Sequence, residues 1–540
     1  MRPMSFDFRS RRSMVVARRG MVSSSSPLAS QAGVSVLRQG GNAADAAIAA
    51  AAVLNVVEPA STGIGGDCFA LYYDARTRTI SALNGSGRAP AALTLEVVRR
   101  AHPDATEMPP HSPHAVTVPG AVRGWEDLLK RHGRMTLRDV LSDAIHYARE
   151  GFPVAPVFGT AWQGYGAWLA ARPHTQDYLP NGAPPQIGQI VRLSGMAHTL
   201  EQIAEGGADA FYQGEPAHAI VAALSAQGGV MTLADLAAHR STWETPIHTD
   251  YRSVTIYECP PNGQGLAALI ALNILEGFDL GGLAWDSPER LHLMIEAMRL
   301  AFADARHYIA DPAFSAAPVS ALLSKAYAAQ RRALIGAQAM QPPSFGAPLS
   351  SSDTVYLCAV DGEGNACSFI NSLYMGFGSG IVAGEAGFFL QNRGAGFSLD
   401  PEHPNALQPN KRPYHTIIPA MALRNGELWA AFGVMGGFMQ PQGHVQVLSA
   451  MLDDDLNPQE ALDRPRFCLL DGTAESIVAL EEGIPVATMS ALAELGHPVR
   501  PVSGRRRGVF GSGDIIRRDP ETGVLFGGCD PRKDGMVAAY

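Results

Sequence analysis

The chain has 540 residues, 46% of them hydrophobic and 17% charged, and a formal net charge of −9. That length asks for two to four domain-sized units or one large layered body, and the acidic balance with no basic stripe argues against a nucleic-acid partner. No apolar run is long enough to span a membrane, and the basic opening MRPMSFDFRSRRSMVVARRG holds only Met14 to Ala17 as an apolar stretch, too short for a signal-peptide core.

Taken in order, residues 28–57 predict two helices broken at Gly40-Gly41, the second Ala-rich and capped by Asn42. Strands are expected at 68–73 and 79–83, joined by a turn from Asp74 to Arg78. The region from 120 to 340 reads as mostly helical. Its clearest helix is DSPERLHLMIEAMRLAFADARHYIADP, capped by Asp286 or Ser287, with Pro288 in the first turn. Leu291, Met294, Ile295, Met298 and Phe302 make its apolar face, and Asp311-Pro312 is expected to end it. The stretch 336–353 is rich in Pro, Gly and Ser and reads as an exposed linker. TVYLCAV and ACSFINSLY then flank DGEGN, a hairpin pattern. GFFLQN, TIIPAMAL and LWAAFGV predict further strands, and a helix is expected near 443–452. The class is α/β or α+β with layered sheets. The six cysteines (68, 259, 358, 367, 468 and 529) are scattered, as buried apolar residues in a reducing, cytoplasmic compartment would be.

Thr354 is the first residue after Asp353 in that hairpin. A hydroxyl is a weak nucleophile at neutral pH and needs a base within hydrogen-bond reach. A threonine at a chain N-terminus carries one, because a free α-amine titrates near about 7.7–8.0. Thr354 gains that amine only if the Asp353–Thr354 bond is cut, which an exposed linker permits sterically. On local features alone, an uncut strand-starting threonine is the stronger reading.

The chain as a whole resembles the γ-glutamyltransferase (γ-glutamyl transpeptidase, glutathione hydrolase) family. Thr354, Val355, Val360, Asp361, Gly364 and Asn365 match the strand that begins with that family's threonine. GGNAADAAIAA, GIGGDCF, TVPGAVRGW, PPNGQGLAALIALNILEGFDL, EAMRLAFADARHYIADP, GFGSGIVAGEAGFFLQN, PNKRP and GVMGG follow in the family's order. The resemblance implies an α+β fold, the N-terminal-nucleophile hydrolase sandwich of four layers, αββα. It implies a precursor that cuts itself into a large chain, 1–353, and a small chain, 354–540. The two stay associated, and their αβ units are candidates for a dimer. Thr354 would then be nucleophile and base, Ser372 its hydroxyl partner, and Gly436 and Gly437 the oxyanion-hole donors.

The departures from the family pattern bear on the substrate. Ser86 stands where the family's carboxylate-gripping arginine is expected, with Arg88 displaced by two positions. Gly396 replaces the aspartate that would hold an α-amine. Arg393, Tyr374, His415 and Thr416 stand where the family has glutamine, asparagine and paired serines. A cation, a phenol and an imidazole suit a small anionic amide without an α-amine. This pattern resembles the family branch that contains oxamate amidohydrolase, which serves purine (allantoin) breakdown, and glutathione-hydrolase-like bacterial proteins. The branch implies hydrolysis of oxamate to oxalate and ammonia. Two alternatives stand beside it: γ-glutamyl hydrolysis or transfer with Arg88 and Arg393 rebuilding the clamp, and a non-catalytic scaffold. No cofactor or metal is expected. HSPH at 111–114 has metal-like spacing in a Pro-rich loop, and GSGR and GQG lack a phosphate-loop context.

Overall fold

The computed structural model describes residues 12–340 and 353–540, so residues 341–352 of the expected linker lie outside the described residues. Two antiparallel seven-stranded sheets form the centre. One runs, in spatial order, Met536–Ala539, Met21–Ser24, Asp353–Val360, Ala366–Tyr374, Asp67–Asp74, Thr79–Gly85 and Thr242–Glu244. The other runs Val15–Ala17, Leu525–Cys529, Ser512–Arg518, Glu427–Met435, Ala420–Arg424, Val254–Glu258 and Ile247–Tyr251. They face each other across a core that includes Phe69, Leu71, Tyr356, Cys358 and Ile370 from the first and Met421, Ala431, Met435 and Ile516 from the second.

Helices cover both outer faces. Pro27–Arg38 and Ala43–Val57 pack on the first sheet, while Gly265–Leu275, Pro288–Tyr308 and Met439–Leu452 pack on the second. The fold is the four-layer αββα sandwich. Ala43–Val57 is buried along its whole length, which its eight alanines permit by letting it lie close to the strands. Asn42 caps it, its side chain accepting from Ala44 N and Asp45 N while Asp45 reaches back to Asn42 N.

Alternation places the chemistry. In Asp353–Val360, Val355, Leu357 and Ala359 face the helices, while Tyr356, Cys358 and Val360 face the opposite sheet. Thr354 shares the parity of the inward set. In Ala366–Tyr374 the even positions point inward, Ser372 and Tyr374 among them, and in Asp67–Asp74 the odd positions do, Asp67 included. The register sets Ser372 opposite Asp67. It also leaves an irregularity between the pairs Asp353–Tyr374 and Val355–Asn371, so Ser372 and Leu373 stand opposite the single Thr354. One end of the sheet therefore gathers Thr354, Ser372, Tyr374 and Asp67 on one face.

Several expectations needed correction. Ser287, one of the two expected caps, does cap the helix over 288–308, its hydroxyl accepting from Arg290 N, but the helix stops at Tyr308, short of Asp311-Pro312. The region read as mostly helical also holds the strands Thr242–Glu244, Ile247–Tyr251 and Val254–Glu258. GFFLQN is not a strand: Phe389 and Leu390 make only isolated bridges, to Val382 and Gly65, because the chain curls there around the site. TIIPAMAL becomes a strand only from Ala420. All six cysteines are free and buried. No helix of the described residues is long and apolar enough to cross a membrane.

Candidate active site

Thr354 is 1% exposed, and its Oγ1 lies 3.1 Å from Ser372 Oγ. Ser372 Oγ accepts two further hydrogen bonds, from Tyr374 N at 2.8 Å and Arg393 Nη2 at 3.2 Å. Arg393 Nη1 donates to Thr416 Oγ1 at 2.7 Å, and the guanidinium lies 4.1 Å above the Tyr374 ring centroid. Of the residues singled out from the sequence, Thr354, Ser372, Tyr374, Arg393 and Thr416 thus form one connected cluster.

Arg393 is wholly buried. Its Nε has no hydrogen-bond partner, and no carboxylate among the described residues lies within ion-pair distance. Burial pushes its pKa down to about 10, against the opposing pull of the Tyr374 phenol and the Asp67 carboxyl. Burial in turn raises the Tyr374 phenol. Tyr374 also has a positive φ of 82°, a conformation costly for a bulky side chain and concentrated at functional sites.

His415 is placed differently from the expectation that it binds substrate. Its Nδ1 accepts from Ile417 N at 3.3 Å, so Nε2 carries the proton and donates to Asp67 Oδ2 at 3.1 Å. Burial, with Arg393 and Arg412 nearby, holds its pKa well below the ordinary histidine value, so the ring is neutral. Both nitrogens are engaged, and the ring braces Asp67.

Arg88 is likewise not brought into the cluster. Its Nη1 pairs with Asp311 at 3.0 Å and donates to the Asn410 carbonyl at 3.1 Å. The backbone there is pinned by Val118 N, which donates to the Arg88 carbonyl, and by Ala89 N, which donates to that of Lys411.

Asp67, which the sequence reading passed over, is the hub behind the site. Its Oδ1 accepts from Gln391 Nε2 at 2.9 Å, Gly87 N at 3.0 Å and Gly120 N at 3.1 Å. The available signal was a lone carboxylate opening the otherwise apolar strand DCFALYY. Burial lifts its pKa from 3.8 to about 6, although Arg393, Gln391 and the two backbone donors oppose the rise. The folded state therefore holds more protons than the unfolded one between these values, and the stability this group contributes falls as pH rises from 3.8 to about 6. The urea midpoint of the wild type minus that of Asp67→Asn is expected to decline across that window. A difference that stays flat would refute the assignment.

Gly436 and Gly437 join the strand Glu427–Met435 to the helix Met439–Leu452, at φ of 122° and 61°. Both angles favour glycine. Their N–H groups donate to no other described residue. Gln264 fixes this turn to the cluster: its Nε2 donates to Gly437 O at 2.8 Å and to Thr416 O at 2.7 Å. The strand Glu427–Met435 comes down on the strand Asp353–Val360 at Gly433, where a Cβ would lie 2.5 Å from the Tyr356 ring.

A family model described as Gamma-glutamyltranspeptidase matches residues 29–540. The chain belongs to the gamma-glutamyltranspeptidase family. It is an enzyme, an N-terminal-nucleophile hydrolase acting on amide bonds. This transpeptidase-family chain is 40% identical over 527 residues to a "Glutathione hydrolase-like YwrD proenzyme" of Bacillus subtilis (strain 168), covering 97% of this chain and 99% of the relative. It is 34% identical over 534 residues to an "Oxamate amidohydrolase proenzyme" of Klebsiella pneumoniae, covering 97% and 99%. Among solved structures it superimposes with a TM-score of 0.93 on a cephalosporin acylase from Bacillus halodurans, at 46% identity over 100% of this chain and 99% of that one.

Two of the positions that depart from the expected pattern, Ser86 and Gly396, have local surroundings that suit the residue present. Ser86 is buried, donating to Asn84 Oδ1 at 2.7 Å and accepting from Asn262 Nδ2 at 3.3 Å. At Gly396 a Cβ would come within 2.7 Å of the Tyr414 carbonyl oxygen, so an aspartate does not fit without backbone movement. Away from the cluster, His292, Glu296 and His497 bring one metal-ligating atom each within 4.8 Å of one another. The two imidazoles already share a hydrogen bond of 2.8 Å, and Arg299, 3.5 Å from Glu296, opposes a cation there.

Proposed function

We propose that the chain cuts itself between Asp353 and Thr354, and that the freed Thr354 hydrolyses amides whose acyl half is short and ends in a carboxylate, oxamate being the simplest. The observation that carries this reading is Arg393, a buried guanidinium with no carboxylate of the described residues within ion-pair distance, Asp67 acting on it only from farther off. Such a cation is costly to keep in the interior, and an anionic substrate offsets that cost. The guanidinium stands two hydrogen bonds from Thr354 Oγ1, through Ser372. A carboxylate held there lies beside the reacting carbonyl, which favours an acyl half with the carboxylate on the carbonyl carbon or one carbon away over a γ-glutamyl group, where a methine and two methylenes separate them. Gly396 and Ser86 supply neither an acceptor for an α-amine nor a second cation.

In the precursor, Thr354 Oγ1 attacks the Asp353 carbonyl carbon, the peptide nitrogen takes up the proton, and the resulting ester is hydrolysed by water. In the cleaved enzyme the new α-amine takes the Thr354 hydroxyl proton as Oγ1 attacks the amide carbon. Ser372, which accepts from Arg393 and Tyr374 N, lies within hydrogen-bond distance of Thr354 Oγ1, and its O–H, when donated there, favours developing alkoxide. The N–H groups of Gly436 and Gly437 receive the oxyanion, an effect of about 3–4 kcal/mol per donor. The proton passes from the α-ammonium to the leaving nitrogen as the C–N bond breaks. Water then attacks the acyl-Thr354 ester, its proton returns through the amine, and the acid leaves. Arg393, stacked on Tyr374 and held by Thr416, binds the substrate carboxylate throughout.

The two cut pieces stay together on this reading because both contribute strands to both sheets. Asp353–Val360 and Ala366–Tyr374 lie between Met21–Ser24 and Asp67–Asp74. Six buried thiols suit a reducing, cytoplasmic setting. The test is steady-state turnover of oxamate against a γ-glutamyl anilide by the processed enzyme. We expect kcat/KM for oxamate to be greater by about tenfold or more; a preference for the anilide would overturn the carboxylate-side assignment and favour the γ-glutamyl reading.

A further inference from the structure

A cavity of about 440 Å³ opens beside the cluster, lined among others by Glu107, Arg306, Ala395, Phe397 and Tyr414. It shares walls with the site. Ala395 is two residues beyond Arg393, and Tyr414 precedes His415 and donates its hydroxyl to Gln264 Oε1 at 3.0 Å, the glutamine that holds Gly437 and Thr416. Arg306 and Glu107 both act electrostatically on the Tyr374 phenol. The cavity is far larger than ammonia needs.

Arg306 is held in place before any ligand arrives. Its Nη2 donates to Asp471 O at 2.7 Å and its Nε to Gly472 O at 3.2 Å. Its guanidinium carbon lies 4.0 Å from the centroid of the Phe438 ring, directly after Gly437, and 5.6 Å from that of Tyr414. Nη1 makes no hydrogen bond to a described residue, and Arg306 forms no ion pair with one. Glu107 of the same cavity feels its charge but makes no ion pair with it, so Arg306 is a second arginine near the site with no ion pair among the described residues, and its planar fork matches a carboxylate. Glu107, Asp400 and Glu402 line other walls of the same cavity and disfavour a polyanion.

We propose that this cavity is the subsite for the amine half of the substrate, and that the amine released carries a carboxylate received by Arg306. This rests on the acyl-half reading above and extends it: oxamate is the minimal substrate, and the preferred ones are amides of an amino acid-like amine. When the C–N bond breaks, the leaving nitrogen takes its proton from the Thr354 α-ammonium and the acyl group remains as the ester on Oγ1. The amine then leaves through the cavity.

The test uses processed full-length enzyme and paired substrates, an N-acyl glycine and the matching N-acyl glycinamide, in oxalyl, glutaryl and γ-glutamyl series. The readout is the ratio of kcat/KM within each pair, for wild type, Arg306→Met and Arg306→Lys. Wild type is expected to favour the glycine member by about tenfold or more, Arg306→Met to abolish that preference, and Arg306→Lys to restore part of it. A wild type without preference, a preference that survives Arg306→Met, or an equal fall for both members overturns the proposal. If the oxalyl pair is inert while another series shows the Arg306-dependent ratio, the acyl-half reading fails and this one stands. If the oxalyl pair is turned over without a ratio, the reverse holds. If no series is turned over, both fall.

Discussion

Thr354→Ala is expected to run as one uncut chain under denaturing conditions, where the wild type runs as two fragments, the smaller beginning at Thr354. Its amidase activity should fall by about 10⁴-fold or more, since removing the nucleophile of a covalent mechanism leaves only binding and oxyanion stabilisation. The physical basis is local. Thr354 Oγ1 is both the atom that must attack the Asp353 carbonyl and the atom 3.1 Å from Ser372 Oγ. Thr354→Ser keeps a hydroxyl and an α-amine and should still be cut, more slowly. Intact-mass measurement decides the point. A Thr354→Ala chain cut at the same bond, or a wild type that stays whole and yet hydrolyses amides, would remove Thr354 from both roles. Folding is checked separately by the thermal transition of the uncut variant. That transition should stay cooperative, because the strand Asp353–Val360 keeps its neighbours on both sides.

Arg393→Met should separate the binding of charge from the chemistry. Methionine fills similar space without a charge, so the fold should lose little stability: a buried cation with no carboxylate of the described residues within ion-pair distance contributes little to it. The kcat/KM for oxamate is expected to fall by about 10²–10³-fold, the range for truncating one partner of a buried charge pair. For pyruvamide, which replaces the carboxylate by an acetyl group of similar size, the fall should be under about tenfold and should report only the lost hydrogen bond to Ser372. Lysine in place of Arg393 should recover little, since it lacks the planar fork that now spans Ser372 and Thr416. Equal losses on the charged and neutral amides would make Arg393 a support for Ser372 and nothing more.

The site was legible in parts for identifiable reasons. Thr354, Ser372, Gly436 and Gly437 were singled out by the family resemblance, which runs through contiguous segments; on local features alone Thr354 reads as an uncut strand start. Arg393, Tyr374 and Thr416 were singled out as departures from the family pattern. What they do together depends on a guanidinium stacked on one residue and bridging two others. His415 and Arg88 were assigned to substrate on charge and position. Their partners, Asp67 and Asp311, lie 348 and 223 residues away in the chain, and no local feature announces them. Asp67 escaped notice because a carboxylate at the start of an apolar strand reads as a surface residue until the strand is found at the centre of a sheet.

By itself the sequence determined the alternation of each strand, the hairpin at residues 361–365, the capped helices and the glycines that must turn at 436 and 437. These follow from side-chain period and backbone sterics, which act over a few residues. Only the tertiary structure decided which inward faces meet. The pairing of Ser372 with Asp67, the irregularity opposite Thr354 and the descent of Gly433 onto Tyr356 are register choices between distant segments. Register is set by the packing of two sheets and their helices at once. It is that packing, too, which buried Arg393 with no carboxylate of the described residues in ion-pair range, and so made it the feature on which the proposed substrate rests.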